Sequence, residues 1–153
     1  GTGTHATTHL CLIWLLANVN KNVTVLDYGC GSGILSIAAK KIGAQSVFGV
    51  DIDDQAIKSS RENAKINNVE IVLNNTENRI DYKTDLIVAN ILSSALTILA
   101  PILAEHCNNK GKIALSGILE SQEKDIKKIY SKWFDFNPSS IKDGWVLISG
   151  TKR

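Results

Sequence analysis

The chain contains no methionine, and its 153 residues hold no apolar run approaching the ~18–20 residues that a bilayer-spanning helix requires. No charged segment followed by an apolar one opens it, so neither a secretory leader nor membrane association is expected, and a cytoplasmic protein is. Cys11, Cys30 and Cys107 are odd in number and lack C-x-x-C spacing, which argues for reduced thiols, with Cys30 a small filler. Charge is nearly balanced. Lys and Arg number 17 against 15 Asp and Glu, a formal +2, with no basic run and no aromatic platform, so direct nucleic-acid binding is not expected. Beginning at Gly1 without an initiator methionine, the chain is expected to be a processed piece or an excised domain. What is present is an ordinary globular composition, 44% hydrophobic and 21% charged. Its length suits one domain, and a chain of this size can bury about 68–70% of its unfolded surface.

One stretch organises the rest. From Val23 to Gly33 a β-branched apolar run leads to three alternate glycines, Gly29, Gly31 and Gly33, directly before an apolar helix predicted over Ile34 to Ile42. Glycines there permit positive φ and let a loop bring its N–H groups against a ligand at the positive end of the helix. The dinucleotide fingerprint G-x-G-x-x-G fails, because its third small position falls on Ile34. The pattern is instead D-x-G-x-G-x-G, with Asp27 placed where a pyrophosphate would be repelled and an ammonium held. S-adenosylmethionine carries that ammonium, a sulfonium and no phosphate. A second strand, Ser46 to Asp51, ends in an acid 22 residues after Gly29, where a carboxylate can accept both ribose hydroxyls. Ile52 then offers an apolar face to an adenine, whereas Asp53 reads as the N-cap of a helix over Gln55 to Asn67 with Ile57, Arg61 and Ala64 at helical spacing.

Taken in order, the chain opens with a polar lead-in and a helix over His9 to Asn18, with Leu10, Ile13, Trp14 and Ala17 facing the core. Thr4, Thr7 and Thr8 read as capping hydroxyls, and His5 and His9, four apart with no third ligand nearby, give no metal site. A short strand, Glu70 to Leu73, and a polar loop, Asn74 to Tyr82, precede a buried strand, Asp85 to Asn90, that ends in an amide. The helix Ser94 to His106 carries Leu96, Leu99 and Leu103 as a core stripe, and Pro101 is expected to kink it. Gly111 to Gly117 is a fifth strand. Ser121 to Trp133 is a helix capped by Ser121, with Gln122, Ile126, Ile129 and Trp133 inward. Phe134 to Ile141 and Gly144 to Thr151 close as a strand pair, with Trp145 to Ile148 buried. This alternation implies a mostly parallel, doubly wound α/β sheet that binds ligands outside the carboxyl ends of its strands. Asp27, Gly29, Asp51 and Asn90 fall at such ends, on three different strands, and are expected to share one crevice.

Five motifs then join: Gly1 to Thr8 (G-T-G-T-H-A-T-T), Asp27 to Leu35 (D-Y-G-C-G-S-G-I-L), Gly49 to Ala56 (G-V-D-I-D-D-Q-A), Val88 to Leu92 (V-A-N-I-L) and Leu115 to Leu119 (L-S-G-I-L). Almost end to end the chain resembles the class I S-adenosylmethionine-dependent methyltransferases, and within them those of large-subunit ribosomal protein L-eleven (PrmA type). The resemblance implies a Rossmann-like seven-stranded sheet with a reversed final strand, and one catalytic domain over residues 1–153. It implies S-adenosylmethionine as cofactor, contacted by Thr8, Gly29, Asp51 and Asn90 with Gly31 and Asp27 beside them, and as substrate a lysine or amino-terminal amine of a large-subunit ribosomal protein. Ala6 and Asp54 stand where the family has proline, a change in rigidity rather than chemistry. The family's amino-terminal domain, which holds the ribosomal protein, is expected to be absent.

Asn90 is expected to orient the incoming amine, or to contact the methionine part of the cofactor, without acting as a base. No His or carboxylate stands out as a general base. A rival reading on the same fold is an RNA or small-molecule methyltransferase, opposed by the missing basic run and by Asn90-Ile91-Leu92 in place of N-P-P-[YF]. From another class, a non-catalytic nucleotide-binding module or a nicotinamide oxidoreductase would require G-x-G-x-x-G.

Overall fold

The computed structural model describes residues 5–75 and 81–153. Gly1 to Thr4 of the opening motif, with the cap expected of Thr4, and residues 76–80 of the polar loop lie outside the described residues. Helices and strands alternate as α1 His5–Asn18, β1 Thr24–Tyr28, α2 Ile34–Ile42, β2 Ser46–Val50, α3 Asp54–Ile66, β3 Val72–Asn74, β4 Thr84–Asn90, α4 Ser93–Glu105 and β5 Cys107–Leu119. A 3-10 turn Glu120–Gln122, α5 Glu123–Tyr130, β6 Phe134–Phe136, β7 Ser140–Lys142 and β8 Trp145–Lys152 follow. Among the described residues no helix is long and apolar enough to cross a membrane.

The strands form one sheet in the order β3-β2-β1-β4-β5-β8-β6, with β7 also paired to β8. The first five run parallel, and β8 runs antiparallel between β5 and β6. This is the expected doubly wound sheet with a reversed final strand, except that Phe134 to Ile141 is split. Phe136 pairs with Gly150 and Ser140 with Leu147. Between them Pro138 has no N–H to give the ladder, so the edge strand breaks after Asn137 donates to Ser149 O at 2.9 Å. Asp143 and Gly144, at φ 53° and 80°, then make the tight left-handed turn that a two-residue hairpin needs.

Period-two alternation buries both faces of the sheet. Val25, Leu86, Val88 and Leu147 pack under α1 and α2, whereas Leu26, Ile87, Ala89 and Ile148 pack under α4 and α5. Several helices sit in a different phase from the expected one. α1 starts at His5 and buries Thr7, Leu10, Cys11, Trp14 and Leu15, leaving Ile13 52% exposed and Ala17 on the surface. The polar residues of α1, His5, Thr7, Thr8, His9 and Asn18, lie at its ends and the stretch between is apolar all round, so docking on the sheet decides its rotation. In α3 the buried position is Ser60 rather than Arg61. α4 runs unbroken through Pro101. The last helix is shorter than expected and buries Ile126 and Tyr130. Among the described residues no side chain caps its start, Ser121 included, and in the 3-10 turn before it the side chain of Gln122 accepts from Leu119 N at 2.9 Å.

Candidate active site

The three glycines before α2 take left-handed backbone, φ 81°, 56° and 85° at Gly29, Gly31 and Gly33. Contact adds to this at two of them, excluding a side chain at Gly29 and crowding one at Gly33. A Cβ on Gly29 would lie 2.5 Å from Ile91 Cγ2, and one on Gly33 would lie 3.0–3.2 Å from atoms of Ser60. At Gly31 the corresponding space is open, and this residue lines a crevice of about 930 Å³ at the carboxyl ends of β1, β2 and β4.

The loop does not offer its N–H groups as the glycine spacing suggests. Gly29 N and Cys30 N both donate to Val50 O, at 2.7 and 2.9 Å, and Gly33 N donates to Cys30 O at 2.8 Å. Gly31 N donates to Asp51 Oδ2 at 2.8 Å. These amides are engaged inside the protein, which removes the nest a phosphate would need and leaves a surface suited to a ligand with its own donors.

Asp27 lies beneath this loop, 1% exposed, and is not among the described residues lining the crevice. Its Oδ2 accepts from Ser36 Oγ at 2.6 Å, and the Ser36 backbone N–H also bonds the carboxylate. α2 has Gly33 at its N-cap and no side-chain cap of its own, so Asp27 serves that helix end from β1. Burial pushes its carboxyl up to about 6, opposed by the Ser36 bonds and reinforced by the charge of Asp51. The expectation that Asp27 faces an ammonium directly is therefore corrected. Its neighbour Tyr28, which carried no signal in the sequence, is the β1 side chain that lines the crevice.

Asp51 is both site and scaffold. Besides holding Gly31, its Oδ1 accepts from Asp53 N at 3.0 Å, and Asp53 in turn caps α3 by accepting from Gln55 N at 2.9 Å. Ile52 is 80% exposed at the crevice rim. Asn90, at the tip of β4, also lines the crevice, and its Nδ2 donates to Thr7 Oγ1 at 3.4 Å. Thr8, half-buried on α1, is not among the described lining residues, and Thr7, fully buried, is the threonine that meets Asn90. The structure thus gathers Gly29, Gly31, Asp51, Ile52 and Asn90 at the crevice, with Asp27 beneath the loop and Thr8 outside the described lining.

The opposite wall was not legible as such. Leu92, Ala95, Leu99 and Ile102 recur at helical spacing and line the crevice, while Leu96, Ala100 and Leu103 pack inward. α4 therefore has two apolar stripes, and Leu99, expected in the core, packs against it while also lining the crevice. Burial, then the charge of Asp27, pushes the Cys30 thiol up to about 12, so it stays protonated as a filler.

Residues 1–153 match the family described as Ribosomal protein L11 methyltransferase (PrmA) along their whole length. The chain belongs to this family. Its sequence is 52% identical over 153 residues to the ribosomal protein L11 methyltransferase of Methylobacillus flagellatus, covering all of this chain and 52% of that protein. The ribosomal protein L11 methylase of Lactobacillus delbrueckii subsp. bulgaricus superposes with a TM-score of 0.94 at 37% identity, over 99% of this chain and 81% of that one. The N-methyltransferase NodS of Bradyrhizobium japonicum, solved with S-adenosyl-L-homocysteine, shares the fold at a TM-score of 0.75 and 11% identity, over 95% of this chain and 85% of that one. The chain spans about half the length of the curated PrmA relatives it matches, 52% in each of the first four.

Proposed function

We propose that residues 1–153 form a cytoplasmic methyltransferase domain that binds S-adenosylmethionine in the crevice and passes its methyl group to an amine of a large-subunit ribosomal protein. The observation that carries this reading is the pairing of an acceptor-only rim, Asp51, with a glycine loop whose amides are already bonded internally. That combination suits a ribose and a cationic methionine and disfavours a pyrophosphate. The open space at Gly31 leaves room for a ligand against the backbone. When bound, S-adenosylmethionine supplies an electrophilic methyl group on a sulfonium.

The chain's own contribution is placement. Asp51 would accept from the ribose hydroxyls, Ile52 would cover the adenine, and the Gly29–Gly31 backbone would hold the methionine part. Asn90, anchored through Nδ2 to Thr7, holds its amide at the β4 tip, where its carbonyl orients the amine or the methionine part. A lysine amine must lose its proton first, at a cost of about 4.6 kcal/mol at pH 7. Among the described residues no lining side chain is suited to take that proton. Asp51 is bonded to the loop and Asp53 to α3, so the proton is lost to water before the amine enters beside the apolar α4 wall.

Calorimetric titration with S-adenosylmethionine and, separately, NAD, followed by tritiated-methyl transfer to purified ribosomal protein L11, tests the reading. Binding of the first and not the second, with label in the protein, is expected. NAD binding, or cofactor binding without transfer to any amine-bearing form of that protein, would overturn it.

A further inference from the structure

α3 carries two polar side chains aimed at the underside of the glycine loop. Ser60 is wholly buried, and its Oγ donates to the carbonyl of Gly31 at 2.7 Å. One turn on, Asn63 Nδ2 donates to the carbonyl of Ser32 at 2.9 Å. The i, i+3 spacing sets both on one face of the helix, and both acceptors are consecutive loop carbonyls. The approach is close: at position 33, whose φ of 85° already favours glycine, an added Cβ would lie 3.2 Å from Ser60 Cα.

The consequence is centred on Gly31. Its N–H is held by Asp51 from the tip of β2 and its C=O by Ser60 from α3, so the peptide planes on both sides of the residue with the open face are clamped. Left to itself a glycine populates many backbone states, and a loop of three would lose much of that freedom only on meeting its ligand. Two donors on α3 remove it beforehand.

We infer that Ser60 and Asn63 are positioning residues for the cofactor loop, acting through the carbonyls of Gly31 and Ser32. The inference rests on the proposed reading of the crevice as an S-adenosylmethionine site. It assigns α3 a role that the crevice lining does not disclose, since neither residue lines it. Ordering acts on binding and not on the chemical step. Loss of either bond therefore raises the Kd and the KM for the cofactor and leaves kcat at saturation unchanged.

The test uses the full chain with S-adenosylmethionine in calorimetry and in the methyl-transfer assay. Ser60→Ala and Asn63→Ala are expected to weaken cofactor binding about three- to tenfold each, the range for a lost hydrogen bond. Asn63→Asp, of the same shape but opposing the Ser32 carbonyl, should weaken it further than Asn63→Ala. Asn63 is half-buried at the surface, so both of its variants should melt within a degree or two of the unaltered chain. That keeps the test valid even if Ser60→Ala misfolds. Affinity equal to the unaltered chain in both Asn63 variants overturns the inference while leaving the cofactor reading in place. So does a loss confined to melting temperature. No binding by the unaltered chain overturns the reading and the inference together.

Discussion

Replacing Asp27 by asparagine measures the cost of keeping a carboxylate beneath the glycine loop. Burial raises this carboxyl from 3.8 to about 6, which at about 1.4 kcal/mol per tenfold corresponds to about 3 kcal/mol between the two protonation states. A carboxyl raised on folding holds its proton in the folded chain after the unfolded one has lost it. Its stabilising share is therefore complete below pH 3.8 and is lost as pH rises through about 6. In Asp27→Asn the amide oxygen still accepts from Ser36, and no charge is buried there at any pH. Urea unfolding of both proteins from pH 4 to 8 should show the unaltered chain losing about 2 kcal/mol relative to the variant, nearly all of it by pH 7. Other carboxylates follow the opposite trend. Against the cost of burial, bonds from Thr24 and Asn108 hold Asp85 below the ordinary range, and bonds from Ser139 and Lys127 hold Glu123 there. Both trends are common to the two proteins and cancel in the difference. Parallel profiles would refute the placement of a strained charge at Asp27.

Two further substitutions address the crevice. Asp51→Ala should abolish measurable cofactor binding in calorimetry and also lower apo stability by about 1–3 kcal/mol, because two backbone N–H groups, of Gly31 and Asp53, lose their acceptor. An unchanged melting temperature would mean that the loop repairs itself without that carboxylate. Asn90→Ala should reduce kcat by roughly tenfold with a smaller effect on cofactor Kd, read by single-turnover transfer beside calorimetry. A change confined to Kd would assign Asn90 to the cofactor alone.

Local chemistry made part of this molecule readable. The glycine triplet set the start of α2 at Ile34, Asp53 set the start of α3, and alternation of short apolar runs with helical periods set the parallel sheet. Strand-tip positions followed from topology alone, which is why Gly29, Asp51 and Asn90 meet. What escaped depends on partners far along the chain. The rotation of α1 is chosen by the sheet under it. Ser60 looks like any polar helix residue until α3 is laid against a loop 29 positions earlier. Asp27 and Asp51 carry the same side chain near the ends of neighbouring strands, but Asp27 is in register with Gly49, two residues before Asp51, and that difference in depth separates a helix cap from a crevice rim. Thr7 and Thr8 are neighbours on a helix but point about 100° apart, so the way α1 docks decides which one meets Asn90.

β8 pairs with β5, β6 and β7, and all three are made before it during synthesis. Until Trp145–Lys152 leaves the ribosome, β5 presents an open edge on one side and the Phe134–Lys142 segment has no sheet to join. The half of the domain that bears the crevice can gather early, but the whole sheet closes only in one late insertion between strands already formed. Nascent chains stalled before Trp145–Lys152 emerges would therefore be the aggregation-prone species.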